Sequence, residues 1–277
     1  MQKIESRVPG NLRGAYRLMA ETFKGYSEDE CTLRSAALAY YALLSFFPLL
    51  LFLLFIASIV ITEGTRQALL AYVYRAVPQL AAPAIAFIEQ TLSARASFGV
   101  LGAAGLMWTA SALFAVLAST FSTIWEAKPR SLWRRRLMGL LMVLALAILF
   151  IFSLLLRTFL AFDLNSYLPI SGRWLNILID FGVTTLLLWV LYTWLPNRHI
   201  EFKASLSGAL LAAFLWQLAK MGFSFYLSFG LERFGAVYGS LGSVIVLILW
   251  VYFSSMIIFL GAEFAAVLQL SRSANGA

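Results

Sequence analysis

Charge is scarce in this chain, and so are the side chains that usually do chemistry. Asp, Glu, Lys and Arg make up 12% of its 277 residues, about half the share found in soluble domains. With 61% hydrophobic residues and a mean hydropathy of +0.84, a water-soluble fold is excluded. One cysteine, Cys31, can build neither an intrachain disulfide nor a cysteine-rich metal site. One histidine, His199, cannot supply the histidine clusters of zinc or di-metal hydrolases. Glycine-rich phosphate loops ending in Lys and Ser or Thr are missing, as is the nucleophile elbow. These absences point away from an enzyme and imply no metal and no cofactor. The first 34 residues are polar and of mixed charge, without the apolar stretch and small-residue cleavage site of a signal peptide.

Long apolar runs fill the space left by chemistry. Six stretches reach the roughly 20 residues needed to cross about 30 Å of hydrocarbon: 36–61, 97–124, 137–162, 174–195, 206–230 and 241–268. The fold class read from them is an all-α integral membrane protein, a six-helix transmembrane bundle over residues 36–270. A cytoplasmic amphipathic segment (1–35) precedes it and a short cytoplasmic tail (271–277) follows. Leu12, Tyr16, Met19 and Phe23 recur at helical spacing with Arg13, Arg17 and Lys24 on other faces, which predicts an interfacial helix before the first span. Residues 67–92 are apolar enough to suggest a further span. Pro78, Pro83, Arg75 and Glu89 oppose that, so the segment reads as two short helices on the outer surface.

Basic residues orient the bundle. The N-terminal segment carries six (Lys3, Arg7, Arg13, Arg17, Lys24, Arg34), and the loop after span two carries five (Lys128, Arg130, Arg134, Arg135, Arg136). With Arg198, Lys203 and Arg272, one side holds fourteen; Arg66, Arg75, Arg95, Arg173 and Arg233 give five on the other. The positive-inside rule places both termini in the cytoplasm of a bacterial inner membrane. The net charge of +8 then reads as contact with anionic lipid headgroups and not as a nucleic-acid footprint. A homo-oligomer or an envelope-protein partner stays open.

Within the spans, charge is costly and therefore informative. Arg157 reaches the outer interface, where its stem can snorkel. Glu263 falls near the cytoplasmic interface, where a salt bridge to the basic loops is the simple account. Asp180 and Lys220 lie deep, at similar depth on consecutive antiparallel spans. They are expected to meet, with Thr184 and Gln217 completing a polar patch that either lines a pathway or fixes helix register. Pro48 breaks the backbone ladder of span one and frees the Leu44 carbonyl, which Ser45 is placed to rebond. Gly99, Gly102 and Gly105, and again Gly235, Gly239 and Gly242, read as helix-packing surfaces.

Three stretches carry a family resemblance: AALAYYALLSFFPLL (36–50), WLPNRHIEFKASLSGALLAAFLWQLAK (194–220) and YGSLGSVIVLILWVYFSSMIIFLGAEFAAVL (238–268). They resemble the YihY/BrkB family of bacterial inner-membrane proteins, some once labelled ribonuclease BN. The resemblance implies six helices, cytoplasmic termini, and links to envelope integrity, transport and virulence-type resistance, with no proven active site. Residues matching the family signature are Ala39, Tyr40, Ser45, Pro48, Pro196, Asn197, Gly239, Gly242, Trp250, Tyr252, Gly261 and Glu263, which adds weight to Glu263.

The function expected is transport, or lipid and envelope handling, through a cavity between span one and spans four to six. Its candidate residues are Ser45, Pro48, Asp180, Gln217, Lys220 and Glu263. The alternative is a non-transporting scaffold or partner-binding subunit. A ribonuclease, as in the old family label, is the weakest reading, because phosphodiester hydrolysis usually needs clustered metal ligands or a histidine acid–base pair.

Overall fold

A computed structural model describes residues 13–60, 95–127, 172–238 and 241–275. They form six α-helices, with no strand among the described residues: α1 (Arg13–Glu28), α2 (Cys31–Val60), α3 (Arg95–Ile124), α4 (Gly172–Trp194), α5 (Phe202–Tyr238) and α6 (Leu241–Asn275). Four carry segments long and apolar enough to cross a membrane: Gly99–Ile124, Ile177–Trp194, Phe202–Tyr226 and Val244–Arg272. The expected spans that fall on α3 to α6 are therefore long and apolar enough to cross, and α5 runs on to Tyr238; the first expected span falls on the helix α2, which starts at Cys31. The expected span 137–162, the surface helices of 67–92 and the basic loop from Lys128 to Arg136 lie outside the described residues.

Helices are what this composition permits. In hydrocarbon each backbone N–H and C=O must find its partner within the segment. Side-chain hydroxyls obey the same constraint by folding back onto the carbonyl four residues earlier. Thr22, Ser35, Thr120, Thr184, Thr185, Thr193 and Ser255 all do so, at 2.6 to 2.9 Å. Two helix ends close on a left-handed residue where glycine is usual: Glu30 (φ 51°) after α1 and Glu126 (φ 47°) after α3. The second is a Schellman closure, with Ala127 N bonding Ser122 O at 2.8 Å and Glu126 N bonding Thr123 O at 2.9 Å.

The chain divides into two compact units, Met1–Tyr40 with Phe114–Ala277, and Tyr41–Leu113. The first is sealed at one end by an aromatic cluster. Phe121 stacks on Trp125 (5.4 Å, 11°), tilts against Tyr192 (5.7 Å) and meets Phe259 edge-on (6.2 Å). Phe121, Tyr192 and Phe259 have no exposed surface. The turn between α4 and α5 closes over this cluster: Arg198 donates to the Trp125 carbonyl (3.1 Å), and the Gln269 side chain bridges Glu201 N (3.3 Å) and the His199 carbonyl (3.4 Å).

α5 and α6 approach through small residues, Gly208, Ala209, Ala212 and Ala213 against Gly261, Ala262, Ala265 and Ala266, all buried. A Cβ built on Gly261 would lie 2.6 Å from both Ala212 Cβ and Tyr192 OH. The Tyr192 hydroxyl donates to the Ile258 carbonyl at 2.7 Å, so a phenol fills the space that Gly261 leaves.

In the second unit α2 continues through Pro48. Gly105 receives the proline ring: a Cβ there would lie 3.0 Å from Pro48 Cβ and Cγ. The expectation that Ser45 rebonds the Leu44 carbonyl is corrected, since its hydroxyl donates to Tyr41 O at 2.8 Å. The rotamer reaching the i−4 carbonyl is the one a helix offers a serine.

Candidate functional site

α5 is a helix with two occupied faces. One turns toward α4 and carries Gln217 and Lys220. Asp180 on α4 accepts from the Lys220 ammonium and, at 3.1 Å, from Gln217 Nε2. The sequence places Asp180 and Lys220 at equal depth on antiparallel neighbours, and the structure brings them together. Their side chains keep 29% and 32% of their surface exposed, so the pair is only partly withdrawn from its surroundings. Thr184 does not join it through its side chain, because its hydroxyl is spent on the Asp180 backbone carbonyl at 2.7 Å.

The other face of α5 presents Leu215, Ala219, Gly222, Phe223 and Tyr226 to an open groove of about 770 Å³. α6 supplies the facing wall with Leu249, Trp250, Phe253, Met256, Ile257 and Leu260, and α1 closes one end with Phe23 and Tyr26. Trp250 lies against Phe223 (4.7 Å) and edge-on to Trp216 (5.9 Å). The lining is apolar almost throughout. From Leu249 to Leu260 the α6 wall rises about 16 Å at 1.5 Å per residue, which matches the roughly 15 Å depth of one leaflet.

The α6 stripe 249–253–256–260 reaches Glu263 one turn further on. There the groove's end meets a buried polar knot. Glu263 is 3% exposed and Cys31 has no exposed surface; the Cys31 thiol donates to Glu263 Oε1 at 3.6 Å. Gly25 of α1 lies against the same carboxyl, where a Cβ would stand 2.8 Å from Oε2. Asp29, with Glu28 beyond it, also faces Glu263. Among the described residues no Lys or Arg pairs with Glu263, and the basic loop Lys128–Arg136 expected to supply its salt bridge lies outside the described residues. α1 packs on α6, and Gly25 of α1, Asp29 of the following turn and Cys31 at the start of α2 lie against this carboxyl. Burial, followed by the Glu263 charge, pushes the Cys31 thiol well above its ordinary range. Burial likewise raises Tyr26, whose hydroxyl is enclosed without a well-formed hydrogen bond, beside Ser35 and Thr32.

The remaining candidates distribute as follows. Ser45 and Pro48 belong to the Tyr41–Leu113 unit. None of Ser45, Asp180, Lys220 and Glu263 lines this groove. Trp250 is a groove wall, and Gly261 a packing position. Tyr40 is exposed; Pro196 is buried and Asn197 exposed in the α4–α5 turn. Gly239 lies outside the described residues and Gly242 opens α6. The groove itself went unseen in the sequence, although its signal was there: Gly222 and Ala219 interrupt the large side chains on one face of α5. The Gly208/Ala212 and Gly261/Ala265 pairs, four residues apart, were equally legible as a close helix contact. Among the described residues no group of three His, Cys, Asp or Glu is arranged to hold a metal ion.

A helical membrane protein with an apolar groove against its α5–α6 pair is the class these features define. Residues 22–277 match the family described as Virulence factor BrkB, and the chain belongs to that family. It is 30% identical over 269 residues to the ribonuclease-like protein YfkH of Bacillus subtilis, covering 91% of this chain and 94% of that one. A UPF0761 membrane protein of Pseudoalteromonas translucida is 28% identical over 87% of this chain and 82% of its own length. One from Alcanivorax borkumensis is 29% identical over 88% of this chain, which spans 58% of that longer protein. No solved structure matches the chain.

Proposed function

We infer that this protein handles a membrane-borne amphiphile, taking an acyl chain into the groove between α1, α5 and α6. The observation that carries the reading is the groove: its walls are apolar over about the depth of one leaflet, and it lies on membrane-capable helices. A polar solute would need a wet path with convergent polar groups. The deep charges offer no such lining, because Asp180, Gln217 and Lys220 are bound to one another on the opposite face of α5. The pair thus supports a register-fixing role, the part of the scaffold reading that a specific contact favours.

The setting is a bacterial inner membrane with both termini cytoplasmic, supported by fourteen basic residues against five. Arg17 and Lys24 of α1, exposed beside the i+4 carboxylates Glu21 and Glu28, and the basic loop Lys128–Arg136 are suited to anionic headgroups. Exposure of Met19 and Phe23 on α1 fits a helix lying at the interface. The protein is read as non-enzymatic: His199 sits exposed in a turn, engaged through its carbonyl by Gln269.

Gly222 supplies the test, since it lines the groove and a Cβ there meets nothing within 4 Å. Gly222→Trp should fill the groove without straining the helix. Purified protein is titrated with chain-brominated phospholipid in detergent, following tryptophan quenching with Trp250→Phe as the reference for the groove signal. Saturable quenching assigned to Trp250 and at least ten-fold weaker binding in Gly222→Trp are expected. Equal binding by the plugged variant sinks the reading.

A further inference from the structure

The inference concerns how the groove is opened, and it rests on the amphiphile-handling reading above. α1 contributes Phe23 and Tyr26 to one end of the groove, yet it belongs to neither of the long walls. Among the described helices, its packing partner is α6. The contact is narrow: Thr22 and Tyr26 are buried in it and Gly25 rests on the Glu263 carboxyl, while Met19, Phe23, Lys24 and Arg17 remain exposed. A side chain at 25 would have to push aside Oε2 of the Glu263 carboxyl, which is itself buried.

The attachment of α1 to α2 has the form of a hinge. Only Asp29 and Glu30 separate the two helices. Asp29 N closes the last turn onto Gly25 O (2.8 Å), Glu30 N bonds Ser27 O (3.2 Å), and Glu30 stands at φ 51°. A non-glycine residue held left-handed costs about 1–2 kcal/mol, and rotation at a few element-terminal residues is how helices swing as rigid bodies. The seat is also electrostatically poor. Glu263 has no cationic partner among the described residues, and the groups facing it are the Cys31 thiol and the acidic Asp29 and Glu28, with Arg34 near Cys31. A narrow contact over a carboxyl held by a weak thiol donor and crowded by acidic neighbours gives a closed position that is defined in shape but not locked by an ion pair.

We propose that α1 is a hinged cover on the groove, seated on Glu263 and swinging about Asp29–Glu30 to admit the amphiphile. Opening would uncover both the Phe23–Tyr26 end of the groove and Cys31, which lies beneath the cover with no exposed surface. The chain carries its own reporter, because Cys31 is the sole cysteine.

The test measures maleimide labelling of Cys31 in the full-length protein in nanodiscs. Gly25→Leu wedges α1 off its seat and is expected to raise the labelling rate at least ten-fold. A parallel chain, Cys31→Ser with Ser205→Cys, reports from a fully buried position on α5 away from the cover; it should stay protected with Gly25→Leu added. Unchanged Cys31 labelling in Gly25→Leu overturns the proposal, and so does equal deprotection at Ser205→Cys, which marks general loosening. The bromolipid titration separates this outcome from the groove reading: Trp250 quenching with an immobile α1 removes the cover and leaves the groove, whereas absent quenching removes the groove.

Discussion

Gly261→Ala adds one methyl group to the close contact between α5 and α6, and its effect follows from the distances. The new carbon would stand 2.6 Å from Ala212 Cβ, 2.6 Å from Tyr192 OH and 2.9 Å from Gly208 O. Two of these neighbours are backbone or near-backbone and cannot turn away. Overpacking of this kind costs about 1–3 kcal/mol. Displacing the Tyr192 hydroxyl also threatens its bond to Ile258 O, worth about 0.6–1 kcal/mol between membrane helices. The expected loss is about 2–4 kcal/mol, read by reversible unfolding in mixed SDS and mild-detergent micelles. Tyr192→Phe removes one obstacle and the same hydrogen bond. The double variant should therefore fall short of the summed losses by at least about 0.5 kcal/mol, as for any two residues in contact. Gly182→Ala is the internal reference: Gly182 lies in α4 with open space around it, so alanine should be neutral or stabilising by up to about 1 kcal/mol. If Gly261→Ala and Gly182→Ala shift the midpoint alike, close packing of α5 on α6 is not what glycine 261 provides.

Lys220→Met should destabilise by about 1–3 kcal/mol by leaving the Asp180 carboxylate unpaired in the span, and Lys220→Met with Asp180→Asn should recover most of the loss in the same assay; a double variant no better than the single refutes the pairing energetics. Glu30→Gly and Glu126→Gly should each raise stability by about 1 kcal/mol by relieving a left-handed side chain, and a drop in either would show that the carboxylate is worth more than the strain. Burial holds the Cys31 thiol above the ordinary thiol range, so the folded protein retains a proton that the unfolded chain releases. Stability is then whole below about pH 9 and falls above it relative to Cys31→Ala; parallel pH profiles for the two proteins would contradict the burial of that thiol.

Membrane helices are legible from sequence because hydrocarbon demands long apolar segments, so the positions of α3, α4 and α6 follow from composition alone. Asp180 and Lys220 were legible for the same reason: charge at equal depth on neighbouring spans has few partners to choose from. Depth reasoning set Glu263 near one end of its span, but it sees the height of a residue in the membrane and not its direction around the helix. Its partners come from α1 and the start of α2, more than two hundred residues earlier, and helical spacing carries no record of such a meeting. The groove escaped because an apolar wall facing emptiness and one facing a neighbour have the same residues. Only the side chains across the gap distinguish them.

The Asp180–Lys220–Gln217 contact has a mechanical consequence. It ties α5 to α4 along the side turned away from the groove, while the glycine and alanine faces clamp the same helix to α6 near its start. On the amphiphile-handling reading, a molecule entering from the membrane would press on a braced wall, and widening would come from the α1 end. Loosening the brace by mutation would be felt as a change in how much the pocket can stretch, at a site the guest never touches.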